Sequence, residues 1–275
     1  MSPKSGPSER SKARSNLDRV LYDDAGARRV PHTSALDRAI VALRSSALWR
    51  YCETQPLGPL YLLPTREFIR ELGRVCLGLG RSVLEVGAGD GLLARALAEA
   101  APSLRIRATD AGTWSNPAAR MTPTERRRWE GLPLAGVTLG PEVERIDGVA
   151  AVRRYEPDVV IASWLPPGPL LSRIIRAPCR FVIDIGAGGG VTAEGAWDWR
   201  FNHEFLDRVE RWTRCRLDGR PAVKRHSRVT LYYGRRHPDF HEERPRKDDW
   251  LWQFRPSRGL KRPRGKSWDR PRATR

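Results

Sequence analysis

One stretch constrains this chain more than any other. Residues 82–91 read Ser-Val-Leu-Glu-Val-Gly-Ala-Gly-Asp-Gly, and the helix formers Leu-Leu-Ala-Arg-Ala-Leu-Ala-Glu-Ala follow before Pro102. An apolar run without polar alternation suits a strand buried on both faces. Gly87 and Gly89 permit the tight turn and close ligand approach that such a strand-to-helix handover makes possible. Nineteen residues after Gly91 comes Asp110, closing a second expected strand, LRIRATD at 104–110. Its two carboxylate oxygens are suited to a ribose diol. The loop spacing is GxGxG, and Leu92 stands where a dinucleotide fingerprint wants a further glycine.

The rest of the chain alternates in the same way. Residues 143–146, 158–164 and 179–185 read as strands, and 148–155 and 169–176 as helices. Thr122 to Glu125 can cap a short helix, and Phe201, Phe205, Leu206, Val209 and Trp212 fall on one helical face. RCRL at 214–217 and RVTLYYG at 228–234 read as a closing hairpin turning near Asp218–Gly219. The expected fold is α/β: a Rossmann-like, seven-stranded, mostly parallel sheet with a terminal antiparallel hairpin. The hairpin separates this sheet from a dinucleotide-binding one. FVIDIGAGGG at 181–190 also runs from strand to glycines, but VTAEGAWDW after it is no helix start. It is expected to be the fifth strand leading into a loop that faces the site.

An N-terminal helical cap is expected over 31–79. Ser34 caps its first helix, with Asp37 as a weak capping-box partner, and Leu36, Ile40, Leu43 and Ala47 lie at helical spacing up to the break at Pro56–Pro59. Thr65 opens a second helix with Phe68, Ile69, Leu72, Val75 and Cys76 on one face, closed by Gly78 and Gly80. The sheet domain spans 80–242. The remaining segments, 1–30 and 243–275, are expected to be disordered basic tails: 255–275 carries a net +8 and 1–20 a net +3, more than half of the chain's +18. Such a tail can tether nucleic acid through phosphates or simply solubilise the chain.

No apolar run approaches a membrane span, and the first thirty residues hold no signal-peptide core. The four cysteines, Cys52, Cys76, Cys179 and Cys215, form no CxxC pair, which points to buried thiols in a reducing compartment. A cytoplasmic protein is expected. His237 and His241 flank Pro238 without further ligands, so no metal is assigned.

VLEVGAGDG, the Ala108-Thr109-Asp110 strand end, the Asp147-Gly148 turn and DVVIASW stand in the motif order of the class I S-adenosylmethionine (SAM)-dependent methyltransferases, which residues 80–236 resemble. The chain is similar in particular to a poorly characterised group with VLEIGAGTG, a strand ending in SWPP, a Gly-Gly turn and a Phe-rich helix. The counterparts here are Ser163-Trp164-Leu165-Pro166-Pro167, Gly189-Gly190 and Phe201 to Phe205, with LLPTREFI at 62–69 resembling the lead-in. The resemblance implies a SAM-dependent methyltransferase. Glu85, Gly87, Ala88, Gly89 and Gly91 would line the methionine end, Asp110 the ribose and Asp147 the adenine. It leaves the methyl acceptor open: small molecule, RNA or protein.

On the acceptor side, Ser163 and Trp164 are the candidate catalytic residues. The segment is similar to the (Asp/Asn/Ser)-Pro-Pro-aromatic motif of amino-methyltransferases, except that Trp164 and Leu165 intervene and Gly168 replaces the aromatic. Trp164 is equally readable as core. Trp114 can stack on adenine or pack on the sheet. Trp197, Asp198 and Trp199 can cover the pocket, and His203 is a base only if the acceptor is a hydroxyl. Trp250 and Trp252 beside the basic tail suit either docking on the domain or stacking on nucleic-acid bases. Two other classes stay in view: a non-catalytic SAM-fold protein that binds nucleic acid through its tail, and a nicotinamide oxidoreductase, which the loop spacing and the hairpin disfavour.

Overall fold

Runs buried on both faces pair edge to edge, and here they build one sheet. The computed structural model describes residues 16–43, 45–55, 58–114, 136–187, 192–193, 199–218 and 227–243. The strands are β1 (Ser82–Val86), β2 (Arg105–Asp110), β3 (Val143–Arg145), β4 (Val159–Ser163), β5 (Phe181–Ala187), β6 (His203–Phe205) and β7 (Ser227–Tyr233). They lie in the order β3-β2-β1-β4-β5-β7-β6. The first five are mutually parallel, and β7 runs antiparallel to both β5 and β6. This is the expected α/β class, Rossmann-like and seven-stranded.

The closing pair is antiparallel, but its first strand is not the expected one. β6 is His-Glu-Phe at 203–205, taken from the run read as a helix; only Asp207–Glu210 (α7) of that run is helical. Residues 214–216 pair with the cap instead. Leu63 donates its amide to the Arg214 carbonyl at 2.9 Å, Arg216 donates to Tyr61 at 3.2 Å, and Leu62 bridges Cys215. RCRL therefore ties the cap to the sheet domain.

The other helices are α1 (Thr33–Val41), α2 (Ser45–Glu53), α3 (Arg66–Leu79), α4 (Leu92–Ala100), α5 (Gly148–Tyr155) and α6 (Leu170–Ile175). The first expected helix is thus two, α1 and α2. Ser34 does not cap it: His32 is the N-cap residue and makes no side-chain cap bond. The Thr33 amide is met from outside by Glu67, whose Oε2 accepts it at 2.8 Å. Asp37 pairs with Arg214 rather than capping. Thr65 does cap α3, its hydroxyl accepting the Phe68 amide at 3.2 Å.

Two large cores flank the sheet among the described residues, and another fills the cap. Phe68, Leu72 and Cys76 of α3 pack with Leu93 and Leu97 of α4 on one face; Val149 and Val152 of α5 pack with Leu171 and Ile174 of α6 on the other. Because α3 belongs to a sheet core, a boundary at residue 79 would cut through continuous packing. The cap core joins Leu36, Ile40, Leu48 and Leu63 with Leu17 and Leu21. Residues 16–30, expected in a tail, are therefore part of the folded body. All four cysteines are buried and free. No helix among the described residues is long and apolar enough to cross a membrane. The Thr122–Glu125 helix, Gly189–Gly190, Trp197, Asp198, Trp250, Trp252 and residues 244–275 lie outside the described residues.

Candidate active site

β1 has β2 on one side and β4 on the other, so the chain reverses its direction of winding there, and a crevice opens beyond the strand C-termini. A cavity of about 390 Å³ occupies that place. Its walls come from the glycine loop, Asp110, the segment after β4, the cap and Arg216.

The loop owes its shape to three left-handed residues, Gly87, Gly89 and Gly91, at φ of +72°, +56° and +73°. A side chain would be strained at each. At Gly91 a Cβ would also come within 2.9 Å of the Glu142 carboxylate. The turn aims backbone into the cavity and starts α4. Ala88 donates to the Thr109 carbonyl at 3.0 Å, and Gly91 donates to Ala88 at 2.9 Å, which keep the turn rigid.

Asp110 ends β2 on the cavity wall. Its Oδ2 accepts the Gly89 amide at 3.1 Å and its Oδ1 the Gly112 amide at 2.7 Å. A carboxylate has roughly four acceptor sites, so both oxygens keep capacity for a ligand while their orientation is set. Glu85, on β1 beneath the loop, is 3% exposed. Burial raises its carboxyl to about 8; an amide hydrogen bond from Ala94 works against the shift, and the nearby Asp90 and Asp110 add to it. Glu85 Oε2 has no hydrogen-bond partner among the described residues. A buried oxygen without a donor is costly, and a cationic or N–H-bearing ligand would relieve it.

Asp147 caps a helix. Its Oδ1 accepts the Val149 and Ala150 amides at 3.0 and 3.1 Å and caps α5. It is not among the cavity's lining residues; Trp114 and Val137 are. They are backbone partners, Val137 donating to the Trp114 carbonyl at 2.9 Å.

Another wall of the cavity starts at Ser163, the last residue of β4, and continues through Trp164, Leu165, Pro166 and Pro167. Trp164 has φ +53° and is 8% exposed. Its amide donates to the Ile185 carbonyl at 2.7 Å, and its ring stacks on Tyr61 with centroids 6.0 Å apart. The Trp164 indole Nε1 is buried and has no hydrogen-bond partner among the described residues. Pro166 and Pro167 fix the chain beyond it. His203 does not line the cavity: it is in β6, with Nδ1 2.8 Å from the Phe201 carbonyl.

Several lining residues escaped the sequence reading. Arg28 donates to Asp90 of the glycine loop at 2.5 Å, carried there by a short ladder that pairs Tyr22 with Arg28. Arg216 pairs with Glu53, the last residue of α2, and both side chains are largely buried. Its guanidinium lies 4.7 Å from the Tyr61 ring centroid and 5.7 Å from that of Trp164. Burial lowers the Arg216 guanidinium to about 10, which leaves it charged at neutral pH. The one available signal was Glu53 itself, an acid in a final helical turn, where the dipole favours cations.

No family model and no curated protein matches the chain in sequence. Among solved structures the chain is similar to the 23S rRNA methyltransferase ErmE, at 21% identity over 65% of this chain and 71% of that one, with a TM-score of 0.34. It is also similar to the mitomycin 7-O-methyltransferase MmcR, at 14% identity over 62% of this chain and 54% of that one, with a TM-score of 0.35. A third is the magnesium protoporphyrin IX methyltransferase ChlM from Synechocystis PCC 6803 with bound SAH, at 11% identity over 82% of this chain and all of that one (100%), with a TM-score of 0.37. What those enzymes act on is a property of theirs. The chemistry of this chain is read from its own cleft.

Proposed function

We propose that this chain is a SAM-dependent methyltransferase, with the donor held between the glycine loop and Asp110 and the acceptor admitted beside Ser163 and Trp164. One observation carries the reading: three left-handed glycines, a backbone-anchored aspartate and a buried, under-bonded glutamate converge on one cavity at the strand C-termini. The loop amides and Glu85 suit the amino-acid end of SAM, and Asp110 suits a ribose diol. Trp114 and Val137, in place of Asp147, are the adenine-side walls.

SAM supplies an electrophilic methyl group on a sulfonium, so the protein's main task is alignment and exclusion of water. Glu85 places a carboxylate under the cationic end. The Trp164 ring, Pro166 and Pro167 form a dry, rigid edge on which an acceptor is oriented, and Ser163 can donate to or accept from it. The acceptor itself is a proposal at the level of small molecule, RNA or protein.

Asp110→Ala is expected to weaken SAM binding by about 1.5–3 kcal/mol, the range for hydrogen bonds to a charged group. Titration calorimetry of both proteins with SAM, and with NADH as a control ligand, measures it. Equal SAM affinity in the variant would remove the ribose assignment, and a preference for NADH would overturn the methyltransferase reading.

Glu85 gives the site a pH signature. Its carboxyl is raised in the folded protein and ordinary, near 4.5, when unfolded. The ligand-free protein is therefore most stable below about pH 4.5 as far as this group is concerned and loses that contribution as pH rises towards about 8. A cation beside Glu85 favours the ionised form, so SAM binding should release a proton and strengthen by up to about tenfold per pH unit between pH 6 and 7. Calorimetry in buffers of different ionisation enthalpy counts the proton, and Glu85→Gln should abolish the release. The same proton count in Glu85→Gln would place the titrating group elsewhere.

A further inference from the structure

A second concavity, of about 510 Å³, runs beside the first across the outer faces of α3 and α4 and shares Arg28 and Leu92 with it. Its floor is aliphatic, from Val30, Ile69, Leu92 and Ala96. Five arginines and one glutamate, Glu99, line it. Two of the arginines are matched by carboxylates, Arg28 by Asp90 and Arg95 by Glu142. The other three, Arg29, Arg66 and Arg70, are exposed and form no ion pair with a carboxylate among the described residues.

Two of the three are held in place. Arg29 donates Nε to the Val20 carbonyl at 3.2 Å and a terminal nitrogen to the Arg19 carbonyl. Arg66 donates Nε to the Val30 carbonyl at 3.1 Å and faces His32 Nε2 at 3.4 Å. Arg70 lies one turn beyond Arg66 on α3 and presents its charge to the same groove. A guanidinium fixed through some of its N–H groups keeps the others for an oxyanion, and its planar fork matches phosphate.

We propose that this groove binds the sugar–phosphate backbone of nucleic acid through Arg29, Arg66 and Arg70, with the strand running towards the neighbouring cavity. The binding stands on the groove alone; only the strand's destination rests on the methyltransferase reading. The composition of the surface selects the partner. A protein interface would be anchored by aromatic residues in the groove, and none of the described residues lining it is aromatic. A membrane surface would call for exposed apolar side chains, yet Val41 is the only exposed large hydrophobic residue among those described. Base stacking also needs aromatics. Backbone recognition, independent of base sequence, is the contact that fixed cations on a small aliphatic floor can make.

The test measures binding of a labelled twelve-nucleotide oligouridine to the full chain without SAM, across a salt series. For single strands the slope of log K against log salt changes by about 0.7 per phosphate contact. Arg70→Gln is expected to flatten the slope by about 0.7 and the Arg29/Arg66/Arg70→Gln variant by about 2. Arg29 and Arg66 brace the N-terminal segment, so melting curves accompany the triple variant. Arg70→Glu is the fold-neutral counterpart, because Arg70 is an exposed helix residue. It should weaken binding several-fold, whereas Arg153→Glu on the exposed side of α5, with the same change in net charge, should leave the slope unchanged. Equal losses from Arg70→Glu and Arg153→Glu would show that overall charge, not this groove, does the binding and would overturn the proposal. So would an unchanged slope in a folded triple variant, or oligoglutamate of matched charge binding as tightly through the same residues. SAM affinity, measured separately, is expected to be the same in all these variants, so loss of oligouridine binding and loss of the donor site read out independently.

Discussion

Arg216→Met is expected to lower the free energy of unfolding by about 3–5 kcal/mol, the cost of leaving one member of a buried ion pair without its partner. Glu53 is 5% exposed and would keep its charge, or take up a proton, in a buried position without its partner. Loss of packing adds to loss of charge, because the guanidinium lies over both rings. The cause can be isolated by a second substitution. Glu53→Leu combined with Arg216→Met removes both charges, and such replacements are often neutral or stabilising. Urea denaturation should therefore show a large deficit in the single variant and recovery of most of it in the double one. A single variant within about 1 kcal/mol of the parent would mean that the pair is solvated and not a structural pin. In the proposed reading the donor is held at the loop and Asp110, away from this pair, so SAM affinity should survive in whatever fraction remains folded.

How much of this was legible beforehand depends on the range of the interactions. β1, β4 and β5 are largely apolar runs, β2 sets Arg105 and Arg107 between apolar neighbours, and the structure keeps each to within a few residues of its expected span. The glycine loop and Asp110 are local too: a turn needing left-handed backbone and an acid at the next strand end are both written in consecutive residues. β6 was not legible. It is three residues long, and its pairing with β7 depends on a partner more than twenty residues away. Phe201, Phe205 and Val209 match helical spacing by coincidence, and tertiary pairing overrides that pattern. The first thirty residues misled through average composition. Leu17, Val20 and Leu21 make a short helical stripe that packs in the cap core, amid the charge that surrounds it. Asp147 shows the limit of motif order: an aspartate before a glycine is also a good helix cap, and one of its carboxylate oxygens fills that place. Arg28, Glu53 and Arg216 reach the cavity only by folding, from three separate segments, so beyond the acid at the end of α2 no local pattern pointed to them.

Trp164 was readable either as an acceptor contact or as core, and its surroundings support both roles for different parts of one side chain. The ring body belongs to the same apolar cluster as Phe68, Leu93 and Ile185. Truncation to alanine should therefore cost about 3–5 kcal/mol, as deletion of a large buried aromatic does. Trp164→Ala is then a poor probe of catalysis, since lost activity would follow from lost folding. The indole N–H is the part left over. It is buried without an acceptor among the described residues, a situation that costs about 1–3 kcal/mol and that a hydrogen-bonding acceptor molecule at the cavity edge would relieve. Trp164→Phe removes the N–H, keeps an aromatic against Tyr61 and conserves most of the volume, so its stability should stay within about 1.5 kcal/mol of the parent. If the edge orients the acceptor, Trp164→Phe will bind SAM normally and transfer methyl groups more slowly, because an orienting contact acts on the transition state and not on donor binding. Melting curves with and without SAM, alongside transfer of labelled methyl from SAM to fractionated lysate, separate the possibilities. Normal turnover in Trp164→Phe would confine the residue to packing. A Trp164→Ala protein that melts like the parent would show that the ring is not core at all.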